Sequence, residues 1–273
     1  MATQAEKGMR FRALHGREGA FVIPNPWDIG SSRILVHLGF EALATTSAGF
    51  AFSTGRRDNT IARCDMVAHV AAIAAATDVP VSADLENGYG DDPETVAETI
   101  AHAAQVGIVG ASIEDTSGRP DRPIHEHARA IERIRAAAEV AHALPFPFTL
   151  TARAENYLVG RKDIADTIKR LQLYQEAGAD VLYAPGLTDR RDIAAVVRAV
   201  DRPVNVVMGL EGARFDVAEL VALGVKRISV GSALSRAAYG ALVRAAREIQ
   251  RKGTFGFAEH ALPFRGIGDI VSE

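Results

Sequence analysis

Cysteine is nearly absent, with Cys64 the single thiol in 273 residues. A lone thiol makes no internal disulfide, so the fold must rest on its core, and the count fits a reducing compartment. Cys64 sits in Ala62-Arg63-Cys64-Asp65-Met66 with no glycine-rich or histidine context, which predicts a buried or inert thiol, not a nucleophile. No apolar run approaches the length of a membrane span, so no membrane partner is expected. Met1 to Arg12 is polar and mixed in charge, without the apolar centre of a secretory signal, and a cytoplasmic protein is expected. Positive charge is not in excess either. The formal net charge is -3 and Lys and Arg are not clustered, so nothing provides the phosphate-binding face that a nucleic-acid partner requires.

What is there is an ordinary globular balance, 48% hydrophobic and 24% charged, enough for a sizeable core. Met1 to Gly19 reads as a short amphipathic helix with Phe11 and Leu14 on one side. Eight short apolar runs follow, predicted as strands near Ala20–Ile23, Phe40–Thr46, Val79–Ala83, Gly110–Asp115, Phe148–Ala152, Val181–Ala184, Pro203–Val207 and Lys226–Val230. Helical spacing separates them, over Ile29–Leu38, Ile61–Ala76, Pro93–Val106, Ile124–Ala143, Asp163–Glu176, Asp189–Ala199, Val217–Leu223 and Ser235–Arg251. Ser47 to Asn59 reads as a loop. Strand alternating with helix eight times is the pattern of an α/β fold, a (β/α)8 TIM barrel, and no linker divides residues 1–273 into more than one domain. The tail from Gly253 to Glu273 carries Phe255, Phe257, Leu262 and Phe264, and is expected to dock on its own barrel or on another subunit.

Reacting groups in such barrels come from the C-terminal ends of the strands. Those ends carry Asn25, Trp27 and Asp28; Ser47 and Gly49; Asp84 and Glu86; Glu114 and Asp115; Arg153 and Glu155; Pro185-Gly186; Asn205; and Gly231-Ser232. The opposite ends are glycine, proline, lysine and small apolar residues. Asp84 and Glu86 lie two residues apart at a strand end, so period-two alternation predicts that they point the same way. Such a pair suits a hard cation such as Mg2+, although a solvated turn before a helix at Pro93 accounts for the same letters. Adjacent carboxylates repel one another when ionised, and a cation relieves that repulsion. Arg153 offers a planar fork for a substrate carboxylate or phosphonate; an ion pair with Glu155 or Glu114 that merely ties strands together is the plain alternative.

The motifs Thr46-Ser47-Ala48-Gly49-Phe50, Gly55-Arg56-Arg57-Asp58-Asn59, Ala83-Asp84-Leu85-Glu86-Asn87-Gly88-Tyr89-Gly90, Ile113-Glu114-Asp115 and Thr151-Ala152-Arg153-Ala154-Glu155 together resemble the isocitrate lyase and phosphoenolpyruvate mutase superfamily. The resemblance runs from about Pro24 to Asn205. It implies a homo-oligomeric barrel whose eighth helix is often swapped between subunits, and Mg2+ (or Mn2+) bound to an α-oxo carboxylate. By position, Asp84 resembles the direct metal ligand, while Asp58, Glu86 and Glu114 resemble ligands acting through water. Ser47, Ala48 and Gly49 match the loop that holds the substrate carboxylate, and Arg153 matches the substrate-binding arginine. Asn205 joins them as a substrate contact. Arg153, Glu114 and Tyr89 are the candidates for the chemistry itself.

Two departures stand out. Glu86 replaces an aspartate and Asn87 a threonine or serine, and the longer acid can still reach metal-held water. The loop from Thr116 to Pro123 has neither the cysteine nor the lysine of isocitrate-cleaving members; Arg119, Arg122 and, just beyond it, His125 are candidates to donate a proton or bind an anion, each read more simply as part of a solvated turn. His127 is expected on the outer face of the next helix. The resemblance therefore implies a Mg2+-dependent lyase that cleaves a carbon–carbon bond of a small α-oxo or 2-hydroxy (di)carboxylate through an enolate. Decarboxylation of an oxaloacetate-like acid needs no loop cysteine. The alternatives are a carbon–phosphorus mutase or hydrolase acting on phosphonopyruvate, and a barrel that binds an oxo acid without turning it over.

Overall fold

The computed structural model describes residues 2–272. Eight parallel strands, β1 (Phe21–Ile23), β2 (Leu43–Ala44), β3 (Val81–Asp84), β4 (Gly110–Glu114), β5 (Thr149–Arg153), β6 (Val181–Tyr183), β7 (Val204–Val207) and β8 (Arg227–Ser229), pair in sequence order, and β8 pairs with β1. The seam between β1 and β2 is bridged by the Ala44 N–H donating to the Pro24 carbonyl at 3.1 Å. The predicted TIM barrel is the fold observed.

Alternation along the strands sorts the side chains into two populations. Val81, Ala83, Ala111, Ile113, Leu150, Ala152, Leu182, Val206 and Ile228 face outward and are buried against the helices. Truncating one of the larger of them, for example Leu150→Ala, costs about 2–5 kcal/mol. Their neighbours Ser82, Ser112, Thr151, Asn205, Arg227 and Ser229 face the barrel interior, which mixes these polar groups with Ile23 and Val207. Most of the helices pack round the outside: α2 (Ile29–His37), α4 (Arg63–Ala75), α5 (Pro93–Ala104), α6 (His127–Ala143), α7 (Ile164–Glu176), α8 (Arg190–Ala199) and α9 (Val217–Ala222).

The N-terminal helix, α1 (Gln4–Gly16), closes the bottom of the barrel. Thr3 and Glu6 form a reciprocal cap at its start, and Phe11, fully buried, enters so close to Gly110 that a side-chain carbon there would lie 2.8 Å from its ring. Only glycine fits at that point.

Three expectations change. The segment after β2 is not a loop but a helical turn, α3 (Ser47–Ser53), capped by the Thr46 hydroxyl accepting from the Gly49 N–H at 3.2 Å. α6 begins at His127 instead of Ile124, because Ile124 bridges to Thr116 and the His125 N–H donates to the Asp115 carbonyl at 2.8 Å. Cys64 is exposed on α4, not buried.

The last helices, α10 (Ala233–Lys252) and α11 (Phe264–Ser272), form an arm that hardly joins the core. Ser235 is the one buried residue of α10, while Leu242, Val243 and Ile249 are exposed. α11 touches α2, where Arg33 donates to the Val271 carbonyl, but Phe255, Leu262 and Phe264 stay uncovered, so the tail docks only in part. No helix among the described residues is long and apolar enough to cross a membrane.

Candidate active site

A cavity of about 180 Å³ opens at the C-terminal mouth of the barrel and runs down into its interior. Ser47, Ala48, Asp58, Asp84, Arg153, Tyr183 and Asn205 line it. Arg153, at the end of β5, lies at its centre of charge. Its Nη1 donates to Asp84 Oδ1 at 2.8 Å, its Nη2 reaches Glu114 Oε2 at 2.9 Å, and its Nε donates to Glu155 Oε1 at 2.9 Å. The Tyr183 ring lies 5.4 Å from the guanidinium carbon, within cation–π range. The strand-tying ion pairs foreseen for Arg153 are present, and the same side chain also lines the cavity.

Asp84 is fixed from every side. Ser47 donates both its N–H (3.0 Å) and its hydroxyl (2.8 Å) to Oδ2, and the Asp84 N–H donates to the Thr45 hydroxyl at 2.9 Å. Glu114 accepts from the Thr116 hydroxyl at 2.7 Å.

One guanidinium faces too many acids. Burial raises the Glu114 carboxyl above its ordinary range, with Asp84 adding to the rise and Arg153 opposing it. Partial desolvation and then Asp84 also raise Asp58, which sits on an exposed loop at the edge of the cavity. Burial, followed by repulsion from Asp84, Asp58 and Glu114, pushes the Glu86 carboxyl up to about 8. For Arg153, burial works against its charge, but Glu114, Glu155 and Asp84 outweigh it and hold the proton firmly.

Glu86 joins this group by a route the alternation argument did not foresee. The strand ends at Asp84, and Glu86 and Tyr89 both adopt left-handed backbone, with φ of 50° and 63°. Such angles in residues with side chains are strained and recur at functional sites. α6 holds the turn in place: Arg133, fully buried, donates to the carbonyls of Glu114 (3.1 Å), Gly90 (3.2 Å) and Asn87. The buried Glu86 Oε1 and the Tyr89 hydroxyl have no hydrogen-bond partner.

The residues fit a hydrated divalent ion but not a protein cage. Among the described residues no group of three or more His, Cys, Asp or Glu side chains is placed to hold one ion. An orphaned carboxylate oxygen beside three further acids, all hard oxygen donors, suits Mg2+ that keeps most of its water. Asp84 lines the cavity, and its charge acts on all three of Asp58, Glu86 and Glu114.

Several expected residues lie elsewhere. Gly49 does not line the cavity; its missing side chain leaves room for Thr46 Cγ2 and Trp27 Cβ, which a Cβ would meet at 2.6 and 3.0 Å. Tyr89 packs against the core instead of lining the cavity. Arg119 and Arg122 are exposed, as a solvated turn would be. His125 is buried, and burial together with Arg133 lowers its imidazole to about 4. His127 pairs with Asp166 on α7 at 2.8 Å.

Three lining residues escape the strand-end pattern. Tyr183 shares a face with Val181 and points inward at the end of β6, a position the strand ends assigned to Pro185 and Gly186. Arg227 and Ser229 alternate with outward Ile228, and that pattern, read as an apolar lower end, puts a cation inside the barrel.

The chain belongs to the phosphoenolpyruvate phosphomutase family, whose model matches residues 11–250, within the phosphoenolpyruvate mutase and isocitrate lyase superfamily of lyases and mutases. A Burkholderia cenocepacia protein described as a candidate lyase/mutase is 61% identical, with TM-score 0.97 over 99% of this chain and 97% of that one. The oxaloacetate decarboxylase of Pseudomonas savastanoi pv. phaseolicola is 29% identical over 89% of this chain and 83% of its own length. An oxaloacetate acetylhydrolase solved with its product oxalate superposes with TM-score 0.88 at 27% identity, covering 100% of this chain and 96% of that one.

Proposed function

We propose that this chain is a Mg2+-dependent lyase that breaks a carbon–carbon bond one carbon removed from the oxo group of a small α-oxo dicarboxylate, leaving an enolate, with decarboxylation the best-fitting outcome. The observation that carries this reading is the cavity itself: acids and Arg153 at its mouth, and no cysteine, lysine or histidine among its lining residues. Loss of CO2 is the cleavage that needs no acid to protonate the departing group. The names of the oxaloacetate decarboxylase and acetylhydrolase relatives support an oxo acid of this size.

When bound, the ion supplies Lewis acidity toward the oxo oxygen, where negative charge grows as the bond breaks. Asp84 and the three neighbouring carboxylates would hold it. Arg153 binds the substrate carboxylate through its fork, kept rigid by three acids. Ser47 orients Asp84 and, with Ala48, shapes the mouth. Tyr183, kept protonated above all by burial, holds the one phenolic proton in the cavity and is the source for the carbon left after cleavage. The exposed apolar residues of α10 support a homo-oligomer, which light scattering on the eluting protein would register as a dimer or tetramer.

The test is purified protein with Mg2+ and a panel of oxo acids and phosphonopyruvate. Oxaloacetate turned over to pyruvate and CO2 faster than the metal-only background is expected. Phosphate or phosphoenolpyruvate from phosphonopyruvate, with no oxo acid cleaved, would replace this reading with carbon–phosphorus chemistry; tight oxalate binding without turnover would leave a binding protein.

A further inference from the structure

Below the acidic mouth the barrel interior departs from the usual filling of branched apolar side chains. Hydroxyls and an amide take up much of it: Ser82, Ser112, Asn205 and Ser229 line the cavity beside Ile23 and Val207, and Thr151 is buried next to them. Arg227 stands among them, 5% exposed. Its Nε donates to Asn205 Oδ1 at 2.9 Å and its Nη2 to the Thr151 hydroxyl at 3.0 Å, while Nη1 is buried with no acceptor. Asn205 is held in turn, donating to the Ser229 hydroxyl at 3.0 Å. No carboxylate pairs with Arg227 among the described residues; the acceptors around it are neutral. A buried cation without a counter-charge is costly, and a native site that keeps one generally has something for it to bind.

The position is informative. Thr151 precedes Arg153 by two residues on β5, so at about 3.3 Å per residue the Arg227 guanidinium lies roughly 6–7 Å below the level of Arg153. The two carboxyl carbons of an extended five-carbon diacid are separated by roughly 5 Å, from C–C bonds of about 1.5 Å. Their oxygens extend the reach at both ends.

We propose that Arg227 forms the floor of a second anion subsite, in which the tail carboxylate of a four- or five-carbon α-oxo diacid descends between Thr151, Asn205 and Ser229 to meet Nη1. The inference deepens the lyase reading and rests on it, since the oxo-acid end must be held at the Asp84 and Arg153 level. It makes Arg227 a specificity residue, distant from the bond that breaks: Arg153 recognises the feature all oxo acids share, and Arg227 selects those with a second charge.

Calorimetry on the intact protein with Mg2+ tests this with five probes. Oxalate reaches only the mouth, while 2-oxoglutarate and 2-oxovalerate have equal carbon numbers and differ in the tail charge. Oxaloacetate and 2-oxobutyrate, as competitors of oxalate, form the shorter pair. In the wild type the diacid of at least one pair should bind roughly ten- to a hundredfold more tightly than its monoacid, the span of a hydrogen bond to a charged group. Arg227→Gln should bring that ratio close to one and leave oxalate within about twofold; Arg227→Lys should keep part of the preference. Should Arg227→Gln not fold by circular dichroism, Ser229→Val narrows the shaft with the arginine in place and should weaken the diacid but not oxalate. A wild type that prefers neither diacid overturns the subsite, as does an Arg227→Gln protein that loses oxalate and diacid equally. If the wild type binds no oxalate at all, the lyase reading fails first; oxalate binding without tail preference removes the subsite alone.

Discussion

Two arginines enter the same cavity and meet opposite surroundings. Arg153 at the mouth is shared by Asp84, Glu114 and Glu155, whereas Arg227 in the shaft has only the neutral oxygens of Asn205 and Thr151. The difference teaches that a buried charge cannot be read from its residue type. At the mouth there are more acids than one cation can satisfy, which calls for a second cation; in the shaft there is a cation with nothing negative, which calls for an anion. Both imbalances are resolved by one ligand pair, a divalent ion above and a diacid spanning the two levels.

The largest expected effect lies at the acidic end. Asp84→Asn keeps the shape and removes the charge, and should lower kcat by about a thousandfold or more, with the fold intact by circular dichroism. Turnover within tenfold of wild type would show that the mouth does not depend on a cation there. The stability contrast comes next. Arg153→Met strands three buried or half-buried acids and should cost about 3–5 kcal/mol in urea unfolding of the metal-free protein, whereas Arg227→Met breaks no ion pair and should cost less than about half of that. Equal losses would erase the distinction between the two sites. Tyr183→Phe should reduce kcat by about a hundredfold with little change in KM, in the range for a lost proton donor, and an unchanged kcat would make the ring only a platform for Arg153.

The smallest effect is a slope. Glu86 has its carboxyl at about 8 in the fold against an ordinary 4.5, so between those values the native state binds more protons than the unfolded one. Its contribution is therefore fully present below about 4.5 and is lost as pH rises through about 8. Calorimetric Tm of the metal-free protein should fall across that window, and Glu86→Gln should flatten the fall. The same slope in the variant would assign it to Glu114, Glu155 or Asp58 instead.

Much of this was legible in the residues. The alternation of apolar runs and helical spacing defined the barrel, and the strand-end letters located Asp84, Glu114 and Arg153, because period two and the strand limits fix where such side chains point. Glu86 reaches the site by another route: its neighbours suggest a strand, but a left-handed turn, held from behind by Arg133 on α6, places it. No local pattern predicts a turn that a distant helix enforces. At α3 the letters Ser47 and Gly49 favour a loop, while the Thr46 cap and the space beside Trp27 make the segment helical. A basic residue next to Lys226 looks like the solvated lower edge of a barrel, yet Lys226 reaches back to the Gly19 carbonyl while Arg227 turns in.

One titration bears most directly on the central claim that the acid-rich mouth holds a cation together with an oxo-acid group. Mg2+ is titrated into protein containing oxalate, for wild type and Asp84→Asn. The account predicts saturable heat in the wild type that requires oxalate and disappears in the variant. No heat in the wild type, or the same heat in both proteins, would contradict it.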